Sequence, residues 1–222
     1  MNDATLSDVT LSRGWFARRV DVLARDLLGR SVRTTIEGER VVGRIVETEA
    51  YLGPEDPASH ASTASGITTR NRPMFGPAGY AYIYRSYGIH WCLNLVGGRS
   101  GEAGAVLIRA LRIVEGAEVV IRRRGRDAHL ADGPGRVCQA LGVTGALQSH
   151  DLTEPPLEIL RGHPIPDDAV HRTGRVGVGS AVSWPLRFLV ADSPDTSRAR
   201  VHPGEVTALP EPFRDFPNGP HR

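Results

Sequence analysis

Between residues 31 and 96 the chain contains two pairs of strand-like segments, the second pair alternating apolar with polar side chains, and each pair is joined by too few residues to admit a crossover helix. Segments 31–36 and 41–51, rich in β-branched residues, are separated by Glu37, Gly38, Glu39 and Arg40; segments 80–85 and 89–96 are separated by Ser86, Tyr87 and Gly88. Connections this short join antiparallel strands, because a parallel pair needs about a dozen linking residues or more. Around these hairpins the remaining elements show no regular βαβ alternation. Val20, Leu23, Ala24, Leu27 and Leu28 form the apolar stripe of a helix that Gly29 stops. Residues 105–111 read as a strand, 115–124 as a helix, Gly133-Pro134-Gly135 as the entry to a helix through Leu141, and 157–160 and 186–190 as later strands. The expected architecture is α+β: a single domain over residues 14–202 around a mostly antiparallel β-sheet, with flanking helices, a protruding β-hairpin, and loosely held ends at 1–13 and 203–222.

Composition excludes several chemistries. The two cysteines, Cys92 and Cys138, are far apart and lack the spacing of a zinc or redox pair, so both read as packed thiols. No apolar run is long enough to span a bilayer, and Asp3 and Asp8 stand where a secretory leader would be basic, so a cytoplasmic protein is expected. The formal net charge of +2 leaves nucleic acid undecided. All 27 of the Lys+Arg residues are arginine, the side chain best suited to forked phosphate contacts, although arginine also makes ordinary surface ion pairs. Without lysine, no lysine Schiff base can form.

Period two places Val41, Gly43 and Ile45 on one strand face and continues that face with Glu47, Glu49 and Tyr51. A glutamate leaving a buried sheet face loses part of its hydration, which makes either of the two carboxylates a candidate general base; a strand-end ion pair with Arg44 or Arg109 fits the same positions. All five tyrosines lie between residues 51 and 87. Tyr80 and Tyr82 suit cross-strand packing, whereas Tyr87, beside Gly88 at a hairpin tip, has little core to join and suits a wedge between bases or a partner contact. The connection 52–78, rich in Gly, Pro, Ser and Thr, far exceeds the usual roughly 4–6 residues and carries His60. Asn94 and Arg109 lie on the strands that follow. Arg122, Arg123, Arg124 and Arg126 read as a solvated helix end or a phosphate contact, and Gly133-Pro134-Gly135-Arg136 could offer backbone N–H groups to a phosphate.

The stretches ETEAYLGPEDPASHAS (47–62) and TRNRPMFGPAGYAYIYRSYGIHWCLNLV (69–96) strongly resemble the alkyladenine, or 3-methyladenine, DNA glycosylase family. The resemblance continues through AVLIRAL (105–111), GPGRVCQALG (133–142), RVGVG (175–179) and WPLRFLV (184–190). Carried over residue by residue, it implies that Glu49 activates a water that Arg109 and the backbone carbonyl of Val176 help to hold. It implies that Tyr51, Tyr84 and His60 flank a flipped base, that Asn94 disfavours a purine with an exocyclic amino group, and that Tyr87 is the minor-groove wedge. The partner so implied is double-stranded DNA containing damaged purines, met by a monomer associated with a bacterial nucleoid, with no membrane, metal or organic cofactor. Arg85, Ser86 and His90 depart from the apolar or aromatic residues often found at this hairpin. Two other readings stay open: a nucleic-acid-binding module without catalysis, and a nucleoside hydrolase using Glu47 and Glu49 as an acid and base pair.

Overall fold

Both hairpins form as expected. In the computed structural model, which describes residues 8–62, 66–99, 101–198 and 207–210, β1 (Ser31–Ile36) pairs antiparallel with β2 (Glu39–Tyr51), and β3 (Ala81–Ser86) with β4 (His90–Val96). β5 (Ala105–Glu115) joins the hairpins by pairing with both β4 and β2. β6 (Leu157–Leu160) extends the far edge, giving the order β3-β4-β5-β2-β1-β6, and β7 (Val170–Thr173) pairs with β8 (Arg187–Val190). Every pairing between these strands is antiparallel, so the chain is a single α+β domain on an antiparallel sheet. The helices are short: α1 (Arg13–Phe16), α2 (Val20–Asp26), α3 (Ala117–Arg124) and α4 (Pro134–Leu141). Among the described residues no helix is long and apolar enough to cross a membrane.

Two features of β2 place the site. Along its first half β2 pairs with β1, but at Glu47, Thr48 and Glu49 that edge is taken by β8. Against β5, Ile45 faces Leu111 and Glu47 faces Ala110, so Val46 is one residue too many. Such a bulge reverses the alternation. Val41, Ile45, Val46 and Ala50 all enter the main core, and Thr48 Oγ1 donates to Ala24 O of α2 at 2.8 Å. Glu47, Glu49 and Tyr51 therefore lie opposite the face that Val41 and Ile45 bury, not on it as strict period two predicts. β5 answers in kind: Val106, Ile108 and Ala110 are core, while Leu107 and Arg109 line a cavity on the other side.

Other boundaries differ for local reasons. Residue 115, expected to begin a helix, ends β5, where Glu115 Oε1 pairs with Arg40 Nε at 2.8 Å. The turn into α3 is made by Gly116 at φ 76°, where a Cβ would stand 2.4 Å from Arg40 O. β7 escaped the sequence reading because its segment, VHRT, is largely exposed and does not alternate apolar with polar. The leader is less loose than expected: Leu11 is buried, Leu11 N–H donates to Ile159 O, and Arg161 N–H donates to Val9 O. Of the expected tail, residues 203–206 and 211–222 lie outside the described residues, and Thr207 N–H donates to Ser183 O at 3.0 Å. The arginine run folds back on the protein: Arg122 and Arg123 pair with Glu39, and Arg124 bonds Gln139 and His129 O. Cys92 and Cys138 are free and buried.

Candidate active site

A cavity of about 570 Å³ opens where the end of β2, the face of β3-β4-β5, the long 52–78 connection and residues 176–180 converge. That volume suits one small organic ring system, since ligand pockets run from roughly 300 to 1,000 Å³. Tyr51, His60, Tyr84, Tyr87, Asn94, Arg109 and Val176 all line it, so residues spread along most of the sequence meet in one place.

Glu49 lies directly behind this wall. It is wholly buried, and its carboxylate accepts from three groups that line the cavity: Tyr51 Oη to Oε2 at 2.9 Å, Arg109 Nη1 to Oε2 at 3.3 Å, and Val176 N–H to Oε1 at 2.7 Å. Val176 thus touches Glu49 through its N–H, a contact separate from the water-holding role that the resemblance implies for its carbonyl. Burial, then the charge of Glu49, pushes the Tyr51 phenol well above its ordinary range, so it stays a donor. Burial works against the charge on Arg109, but Glu49 and Glu47 outweigh it and hold the guanidinium protonated.

Glu47 behaves differently. Its Oε1 accepts Arg109 Nε at 2.9 Å and Arg187 Nε at 2.8 Å. Burial raises its proton affinity, yet the two arginines and a backbone N–H more than reverse that, leaving it below the usual glutamate value. A carboxylate so held is a poor proton donor, and Glu47 is buried off the cavity lining, so both facts count against a Glu47–Glu49 acid and base pair.

The aromatic wall is cross-braced. His60 meets Tyr84 edge to face with centroids 4.6 Å apart, and its Nδ1 lies 2.8 Å from Tyr82 Oη. Burial, and secondarily the charge of Arg70, lowers the His60 value, so the ring is neutral near pH 7. Tyr82, read from sequence as packing, is packed in a buried cluster with Met74 and Val96 and also lines the cavity; its phenol is pushed up to about 12 by burial, and its carbonyl accepts Asn94 Nδ2 at 2.9 Å. The loop bearing His60 is fastened by buried Asn71, whose Nδ2 donates to His60 O and Gly66 O, each at 2.7 Å.

Sequence reasoning also missed the ion pair packed over the Tyr51 ring. Arg175 Nη2 donates to Asp56 Oδ1 at 2.8 Å, both side chains are fully buried, and Arg175 Nη1 donates to Ala50 O. Asp56 in turn accepts the N–H groups of Leu52 and Ala58, each at 3.0 Å, so one ion pair ties the start of the long loop to the strand carrying Glu49. An aspartate before Pro57 hints at a local turn, but nothing local identifies a partner 119 residues away.

Tyr87 stands at the rim. It is 89% exposed at φ 50°, followed by Gly88 at φ 68°, and Ile89 N–H closes the turn onto Ser86 O. The turn end of this hairpin packs on the start of α4, where a Cβ on Gly135 would lie 3.0 Å from His90.

Comparison with known proteins gives a consistent result. The model of the methylpurine-DNA glycosylase family matches residues 14–194. A Myxococcus xanthus protein provisionally named 3-methyladenine DNA glycosylase is 45% identical over 191 residues, 85% of this chain and 93% of that protein. A Streptomyces avermitilis protein with the same provisional name is 46% identical over 200 residues, 86% of this chain and 92% of its own length. A Methanoculleus marisnigri protein, named likewise, is 43% identical and matched over its full length, across 86% of this chain.

Proposed function

This chain belongs to the methylpurine-DNA glycosylase family, and from that premise we propose that it hydrolyses the bond between a damaged purine and its deoxyribose in duplex DNA. The observation that carries the reading is the buried Glu49 carboxylate, gripped by three donors that are themselves the wall of an aromatic cavity. The substrates are alkylated or otherwise damaged purines of the 3-methyladenine, hypoxanthine and ethenoadenine class, and the product opens base excision repair.

A base inside the duplex cannot reach a carboxylate behind a cavity wall, so the nucleotide is extruded, at a cost of about a few kcal/mol of unstacking. Contact with Tyr51, Tyr84 and His60 offsets that cost, and Tyr87 fills the gap left behind. The Asn94 amide, fixed on the cavity wall, disfavours an exocyclic amino group. Glu49 takes a proton from water as the water oxygen bonds to C1′, and the electrons of the C1′–N bond leave with the base. An alkylated purine is already cationic and departs as a neutral molecule; hypoxanthine or ethenoadenine departs with the electron pair as an anion that takes a proton from solvent. The Glu49 charge also stabilises the developing cation on the sugar, while Arg109 and the Val176 segment hold carboxylate and water in register. With water as nucleophile and no lysine in the chain, the product is an abasic site in an intact strand, and no cofactor is needed.

The test is base release from a duplex carrying hypoxanthine or ethenoadenine, scored by alkaline cleavage. Glu49→Gln should bind the lesion duplex and release no base; release at the wild-type rate overturns the assignment. Wild-type binding without release would indicate a binding module, and release from a free nucleoside in preference to duplex would indicate a nucleoside hydrolase.

A further inference from the structure

The family match ends at residue 194, yet the chain just beyond it reaches the charged cluster behind the cavity. After β8 the chain turns, with Thr196 Oγ1 donating to Ser193 O at 3.1 Å and Arg112 Nε donating to Asp195 Oδ2 at 2.8 Å. Ser197 is thereby presented to Glu47, donating its N–H to Oε2 at 2.6 Å and its hydroxyl to Oε1 at 2.8 Å. Arg109 Nη2 approaches the same hydroxyl oxygen at 3.4 Å.

We propose that Ser197 is a positioning residue for base release: it holds Glu47, and through Glu47 it fixes Arg109 against Glu49. Each nitrogen of the Arg109 guanidinium has one partner: Nε has Glu47, Nη1 has Glu49 and Nη2 has Ser197. The group is planar, so fixing Nε and Nη2 also fixes where Nη1 points. The bond from Nε to Glu47, at 2.9 Å, is shorter than the bond from Nη1 to Glu49, at 3.3 Å, so Glu47 sets the orientation and Glu49 receives it. Glu47 is in turn shared between Arg109 and Arg187, which compete for Oε1. The two bonds from Ser197 anchor the carboxylate between them. Two carboxylates and two guanidinium groups balance in charge, so removing the Ser197 hydroxyl changes geometry and leaves net charge untouched.

The proposal rests on Glu49 being the general base, and the experiment separates the two. Single-turnover base release from a hypoxanthine duplex is measured at saturating enzyme on the full chain, with duplex affinity and thermal unfolding in parallel. Ser197→Ala should slow release roughly tenfold, the scale of one hydrogen bond to a charged group, with affinity unchanged and a melting temperature lowered but still well above the assay temperature. Ser197→Thr, which keeps the hydroxyl, should recover most of the rate. Wild-type release by Ser197→Ala overturns the proposal, as does a loss that affinity shares and that threonine does not restore. Failure of the underlying reading shows separately, as undiminished release by Glu49→Gln, and would take the proposal with it.

Discussion

Tyr51 donates its hydroxyl to Glu49 Oε2 at 2.9 Å from two residues further along β2, while its ring lies 4.8 Å beneath the guanidinium of Arg175. One side chain therefore lines the cavity and donates to the carboxylate behind its wall. The bulge at Val46 makes this possible, because it turns both residues away from the core.

Tyr51→Phe separates these duties. The ring and its packing remain, and Glu49 loses a hydrogen bond worth about 1.5–3 kcal/mol when one partner is charged. Single-turnover release should fall roughly tenfold or more, with lesion-duplex affinity within about twofold of wild type. An equal fall in affinity would assign the effect to the ring instead of the hydroxyl.

His60 makes the fold sensitive to acid in a defined direction. Burial, then Arg70, holds its value below the ordinary 6.5, so the unfolded chain takes up the proton first as pH falls. Above about 6.5 the group is neutral in both states and has no effect; below it, stability declines. The drop in melting temperature between pH 7 and pH 5 should be smaller in His60→Gln than in wild type. Arg70→Gln removes one of the two depressing influences and should move the His60 titration upward when followed by NMR.

At Tyr87 stability and binding should move in opposite directions. A non-glycine residue in the left-handed region costs roughly 1–2 kcal/mol, and at 89% exposure the ring recovers little of it by packing. Tyr87→Gly should leave the melting temperature level or slightly raised, while affinity for a lesion duplex falls. A melting temperature several degrees lower would show that the ring contributes to the fold.

The sequence made the hairpins, α2 and the residues of the cavity legible because each carries a local signature: alternation, an apolar stripe, or the family's motif. Register along β2 was not legible, since a bulge depends on how β5 pairs with it, and nothing at Val46 announces an extra residue. Tyr82 does pack as the strand pattern suggests, but its second contact, to His60, was not legible because that residue arrives from another loop. Ser197 and Arg175 were invisible for the same reason. Their partners, Glu47 and Asp56, are more than a hundred residues away, and a buried ion pair leaves no periodic trace in the chain.

The Arg175–Asp56 pair yields the largest expected loss of stability. Both side chains are fully buried, and breaking a buried pair by removing one partner typically costs about 3–5 kcal/mol. Arg175→Met strands the Asp56 carboxylate, which still accepts two loop N–H groups but has lost its counter-charge. Asp56→Asn strands the guanidinium, which keeps Ala50 O as an acceptor. Each variant should unfold at a markedly lower denaturant concentration. The double variant Asp56→Asn with Arg175→Met should lose much less than the sum of the two, because no unpaired charge remains buried. Losses that simply add would show that the two residues stabilise the loop and the strand independently, and that the pair is not what joins the start of the long loop to the strand carrying Glu49.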